Sequence, residues 1–150
     1  MSSFVAQGNA SGTGAHTLQS SATNSSITQT LPTVASTTLG YLNTPLDAKT
    51  ANYTAVLGDS GKTILLSSGS GVTFTIPQNS GGVDPVAYEN GTVLTFINMS
   101  SSSLSIAITT DTMYLAGTGS QGTRTLDQYG IATAIKMTST TWLISGNGLT

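Results

Sequence analysis

The chemistry open to this chain is set by one histidine, six carboxylates and no cysteine. His16 lies in a low-complexity stretch, so a Ser/His/acid triad or a histidine-rich zinc site is not expected. Asp47, Asp59, Asp84, Glu89, Asp111 and Asp127 are scattered through turn-like segments and their borders. A glycosidase would need two of them held across a groove, and such grooves usually add aromatic platforms. Only Tyr88 adjoins a carboxylate, whereas Trp142 alternates with Ile144 as a core residue does. The string GDSGKT, Gly58 to Thr63, resembles part of a phosphate-binding loop but lacks the first glycine of that spacing. A hairpin turn whose Asp or Ser side chain bonds its own backbone explains it more simply. Neither Asp59 nor Asp111 sits in a dense series of oxygen ligands, which argues against calcium. The chain is therefore expected not to be an enzyme, with no catalytic residue, no cofactor and no metal.

The elements that must position these residues are uncharged. About one residue in three is Ser or Thr, while Lys and Arg number 4 and Asp and Glu 6, a charged fraction of 7% against the usual quarter. Hydroxyls, amides and backbone must carry solubility. A net charge of -2 gives nucleic acid and anionic membrane little to hold, so neither is an expected partner. No apolar stretch approaches the 18 or so residues of a membrane helix. The start MSSFVAQGNASGTG lacks a basic region followed by an apolar run, which suits a soluble chain made in a cytoplasm. Five N-x-[ST] matches mean little in so hydroxyl-rich a sequence.

Residues 1–50 read differently from residues 51–150. In the first segment Leu18, Ile27, Leu31, Val34, Leu39 and Leu42 follow neither helix nor strand period, and Pro32 and Pro45 disfavour helix before them. An extended low-complexity arm ordered by a neighbour is the expectation, with Leu31, Val34, Leu39 and Leu42 as scaffold-binding anchors. A disordered leader and a small β-subdomain are the alternatives. Beyond Thr50, strand-like runs recur about every ten residues with Gly, Ser or Asn between them. Val72, Phe74 and Ile76 alternate with Thr73 and Thr75, Leu94 and Phe96 oppose Val93 and Ile97, and Leu104, Ile106 and Ile108 share a face. The pattern predicts an all-β domain, an antiparallel β-sandwich or jelly roll, with Phe74, Ile76, Phe96, Ile106, Ile135 and Trp142 buried. Asp84 and Tyr88, in and beside the GGVDP loop, are the candidate surface-binding residues.

An ordered set of strings extends this reading: NYTAVLGDSGKTILL, VTFTIPQNS, YENGTVLTFIN, LSIAI and GIATAIKMTSTTWLISGNGLT. Together they resemble the β-domains of tailed-bacteriophage virion proteins, of the capsid decoration, head-fibre and tail-fibre-tip type, over residues 50 to 150. The matching positions are Asp59, Gly61 and Lys62 in the turn, Thr73 and Pro77 at a strand end, Gly91, Thr92 and Asn98, and finally Trp142, Ser145 and Gly146. The resemblance carries over no catalytic residue. It implies a capsid decoration or cementing protein on the outer surface of the virion head, a homotrimer whose partner is the major capsid protein. A short head or tail fibre acting as a host-glycan adhesin is the alternative, favoured if Tyr88, Tyr114 and Tyr129 share an exposed cleft. Open sheet edges and the economy of symmetric assembly agree with an oligomer.

Overall fold

The computed structural model describes residues 43–82 and 84–150. Nine strands follow in order: β1 Leu46–Lys49, β2 Tyr53–Thr54, β3 Thr63–Leu66, β4 Thr73–Ile76, β5 Val93–Asn98, β6 Leu104–Ile108, β7 Thr112–Leu115, β8 Arg124–Thr138 and β9 Thr141–Leu149. The helical content of the described residues is one 3-10 turn, Leu57–Asp59, between β2 and β3. The expected all-β class is thus found. The pairing is mixed rather than antiparallel.

Odd and even strands separate. β1, β3 and β5 pair in parallel, as do β2, β4 and β6. The chain therefore winds three times between two arms, and each strand meets its hydrogen-bonding partner one full turn later. Sequence neighbours such as β3 and β4 lie on different arms and do not pair, which is why regularly spaced strands gave a misleading expectation of hairpins. Antiparallel pairing appears where β8 closes the winding: Arg124–Leu126 pairs with β6, Ile131–Ile135 with β5, and β9 lies along β8. β7 then joins β9 in parallel. The result is a nearly closed, sandwich-like mixed sheet in which one long strand serves both arms.

Alternation builds the core. Phe74 and Ile76 of β4, Leu94 and Phe96 of β5, Leu104 and Ile106 of β6, and Trp142 and Ile144 of β9 all point inward, as period-two patterning requires. Phe74 and Phe96 bring the two arms together with ring centroids 6.4 Å apart. Five of the six expected core residues are buried; Ile135 is 39% exposed and faces outward. Strand β1, made of Leu46, Asp47, Ala48 and Lys49, falls within the stretch assigned from sequence to the arm. The run from Tyr53 to Leu57 is strand for two residues only and then turns.

Candidate functional site

Asp59 is the hub of the β2–β3 crossover. Its Oδ2 accepts the Tyr53 hydroxyl at 2.8 Å and the Val56 amide at 2.8 Å, and its Oδ1 lies 4.0 Å from the Lys62 ammonium. Gly61 follows at a φ of 74°, a left-handed position that suits glycine. GDSGKT is therefore a turn locked by its own Asp, as expected, but it is a crossover and not the expected hairpin, since β2 and β3 pair with other strands. The Tyr88 hydroxyl donates to the Val56 carbonyl at 2.8 Å, tying the β4–β5 crossover to the same turn. Both phenols are pushed well above the usual tyrosine range: Tyr53 by burial and then by its bond to the Asp59 carboxylate, Tyr88 by burial and then by the nearby Asp59 charge.

A second polar group lies under β9. Lys136 Nζ is 3.3 Å from Asp111 Oδ2, donates to the Ser139 carbonyl at 3.0 Å, and stands 4.8 Å over the Trp142 ring. Both charged side chains are buried, so the pair must recover its desolvation through these bonds. Tyr88 meets the same indole edge to face at 5.5 Å. The Trp142 indole N–H is buried without a partner. A third network fixes the β5–β6 loop: Asn98 donates to the Ser102 and Leu126 carbonyls and accepts from Ser100. In all three networks the ionisable and amide side chains are engaged by the fold, and the Trp142 indole N–H is the exception. Among the described residues no group of three or more His, Cys, Asp or Glu side chains is placed to hold a metal ion.

The sequence-predicted site residues separate. Asp84 is exposed, at a left-handed φ of 49°. Tyr88 is only 4% exposed, with its hydroxyl and ring both engaged, which corrects its assignment as a surface-binding residue. The sequence pattern could not show that a tyrosine beside a proline-containing loop folds back under β9. Of the two tyrosines expected to share a cleft with it, Tyr114 is half-buried and Tyr129 is 71% exposed. Leu31, Val34, Leu39, Leu42 and His16 lie outside the described residues.

A surface that sequence reading missed is the outward side of β1, β3, β5, β8, β9 and β7. In β8 the small residues Ala132 and Ala134 point inward while Ile131, Ile135 and Met137 point outward, the reverse of a solvated strand. Directly paired residues share a face, so the register carries this apolar character across the sheet. One row runs Val93, Ile135, Leu143, Tyr114; another runs Ala48, Leu65, Ile97, Ile131. Between them lie Thr63, Thr95, Thr133 and Ser145. None of the residues in these three rows is Asp, Glu, Lys or Arg; the outward carboxylate of β8, Asp127, lies before the register slip that precedes Ile131. The other arm differs: Thr54, Thr73, Thr75, Ser105 and Ala107 coat its outer side with hydroxyls and small groups. Comparison with family models, curated proteins and solved structures gives no match.

Proposed function

We propose that this chain is a capsid decoration or cementing protein of a tailed bacteriophage, made in the host cytoplasm and bound as a homotrimer to the outside of the assembled head. The observation that carries the reading is the contrast between inside and outside: the buried ionisable groups are consumed in structural bonds, while the outward side of β5, β8 and β9 carries two uncharged apolar rows, about Ile131 and about Ile135, on either side of a hydroxyl row. Such a molecule is equipped to bind rather than to react. The positions on which the resemblance to phage virion β-domains rests have architectural places here, Asp59 locking a turn, Asn98 a loop and Trp142 the core, which supports reading it as a resemblance of scaffold. Binding the assembled head and not its free subunits stabilises the head by mass action, through apolar burial with a polar rim. Leu31, Val34, Leu39 and Leu42 supply apolar contacts to the major capsid protein. The adhesin reading loses support because the buried Tyr88 cannot join an aromatic platform.

Density-gradient co-sedimentation with purified heads of the encoding phage tests this. The full chain is expected to travel with the heads, and a chain lacking residues 2–42 to remain folded but lose most of its retention. Full-length protein that stays at the top of the gradient overturns the decoration role. Undiminished binding by the shortened chain moves attachment to the β-domain.

A further inference from the structure

We propose that Lys136 and Asp111 join covalently, through a side-chain amide between Nζ and Cγ that forms within the folded chain with loss of one water. The linkage is independent of the decoration role: it is made once, inside one chain, and turns over no substrate.

Both reacting ends are held in place by the fold. Lys136 lies directly opposite Trp142 in the β8–β9 register, and on its other side its amide donates to the Thr92 carbonyl while its carbonyl accepts from the Gly91 amide. Asp111 sits in the β6–β7 turn, where the Thr110 hydroxyl donates to Gln78 Oε1 at 2.6 Å and the Thr112 amide to the Thr140 carbonyl at 2.8 Å. The two side chains meet with Nζ 3.3 Å from Oδ2 and are 0% and 5% exposed. Groups held in alignment react as though at very high concentration, on the order of 10⁵ M or more. The other two Lys–Asp contacts of the described residues lack one of these conditions. Lys49 and Asp47 are closer, at 3.0 Å, but 25% and 30% exposed, and Lys62, 29% exposed, stands 4.0 Å from Asp59.

The ion pair contains every atom that the step needs. Asp111 Oδ2 takes a proton from the ammonium across the 3.3 Å contact, leaving a free amine and a carboxylic acid. The Nζ lone pair adds to Cγ and the C–N bond forms; the C–OH bond then breaks, and that hydroxyl leaves with the second amine proton as water. Nothing is oxidised or reduced. Two features favour the product. It removes two charges from a core where their desolvation is costly, and its remaining N–H keeps the Ser139 carbonyl, 3.0 Å from Nζ, as an acceptor. A site closed to water also withholds the reagent that would reverse the step. The pair must move its own protons, since no further His, Asp or Glu bonds to it among the described residues, so the linked fraction should rise as folded protein ages. The amide closes residues 111–136 into a ring and ties β7, whose strand pairing is to β9 alone, to the strand that serves both arms.

Mass spectrometry of the full chain reads the outcome, on fresh protein and on protein kept folded for days. Wild type is expected to be lighter than its sequence by one water, in a fraction that grows with time. Trypsin added after denaturation cuts beyond Lys49, Lys62 and Arg124 but not at an acylated Lys136, so residues 63–124 should appear joined to residues 125–150. Lys136→Arg keeps the charge without the amine and should retain the full mass. Asp111→Asn offers ammonia as the leaving group and should lose that mass instead of water. Both positions are buried, and if either variant fails to fold the wild-type digest decides alone. Wild type that keeps its full mass throughout overturns the proposal. So does a water lost within residues 63–124 by themselves, the mark of an aspartyl imide, or an aged protein whose digest holds 63–124 and 125–136 only as separate peptides.

Discussion

Lys136 shows how a single residue can mislead and inform at once. On the strand IATAIKMT a lysine suggests the solvent side, and that parity would turn Ile135 inward, as the sequence reading expected. The structure inverts the strand because Lys136 finds Asp111 at 3.3 Å, the Ser139 carbonyl and the Trp142 face within the core. None of these partners is near it in sequence pattern except Ser139, so the inversion was not legible. Phe74, Ile76, Phe96, Ile106 and Trp142 were legible because each lies in a strand-like run and several alternate with small or hydroxylic neighbours. The buried pair should behave asymmetrically. Lys136→Met alone or Asp111→Leu alone strands one charge and is expected to cost about 3 to 5 kcal/mol, whereas the double replacement should cost much less than the sum. Urea denaturation of the four proteins measures this coupling. Additive losses would mean that the two side chains act independently, despite their contact.

At the scale of elements, β8 and β9 hold the two arms together, and their close approach depends on particular glycines. A Cβ on Gly146 would collide with the Ile131 carbonyl oxygen and come within 2.6 Å of the Ala132 Cα. Around Tyr129, at a left-handed φ of 61°, β8 slips register against β9 between Leu126 and Ile131 as it passes from one arm to the other. Such irregularities increase local bend and twist. Gly146→Val is therefore expected to cost at least about 1 to 3 kcal/mol through overpacking against backbone, while Ser145→Val, one position away and facing outward, should change stability by less than about 0.5 kcal/mol. Thermal unfolding of the two variants compares them directly, and equal effects would contradict the tight β8–β9 approach. The sequence exposed β4, β5 and β6 through their alternation. It concealed β1, because Asp47 and Lys49 take the half-buried positions and bond each other at 3.0 Å, leaving Leu46 and Ala48 outward. It also concealed parallel pairing, because alternation reports which side chains share a face and carries no record of which strand lies alongside.

The β-domain formed by the described residues is a winding whose successive crossovers must be pinned, and two tyrosines do much of that pinning. Tyr53 bonds the Asp59 turn from β2, and Tyr88 reaches back from the β4–β5 crossover to the Val56 carbonyl, 32 residues earlier. Both hydroxyls act as donors, so the fold needs them protonated. Burial and the neighbouring Asp59 carboxylate raise both phenols above their ordinary value. The sign follows by linkage: a group whose folded value is raised contributes stability that is fully present below its unfolded value, about 10 for tyrosine, and is lost as the pH climbs from there toward the folded value. With so few ionisable groups in the chain, this alkaline edge should stand out. The urea midpoint is expected to fall steeply above about pH 10, and tyrosinate absorbance of the folded chain to lag that of the unfolded chain. Tyr53→Phe/Tyr88→Phe should begin less stable, because two donors are removed, but decline less steeply over the same range. Parallel declines in wild type and double variant would show that neither phenol sets the edge, and the pinning of the crossovers would then rest on the Asp59 bond to the Val56 amide and on the packing of Tyr88 against Trp142.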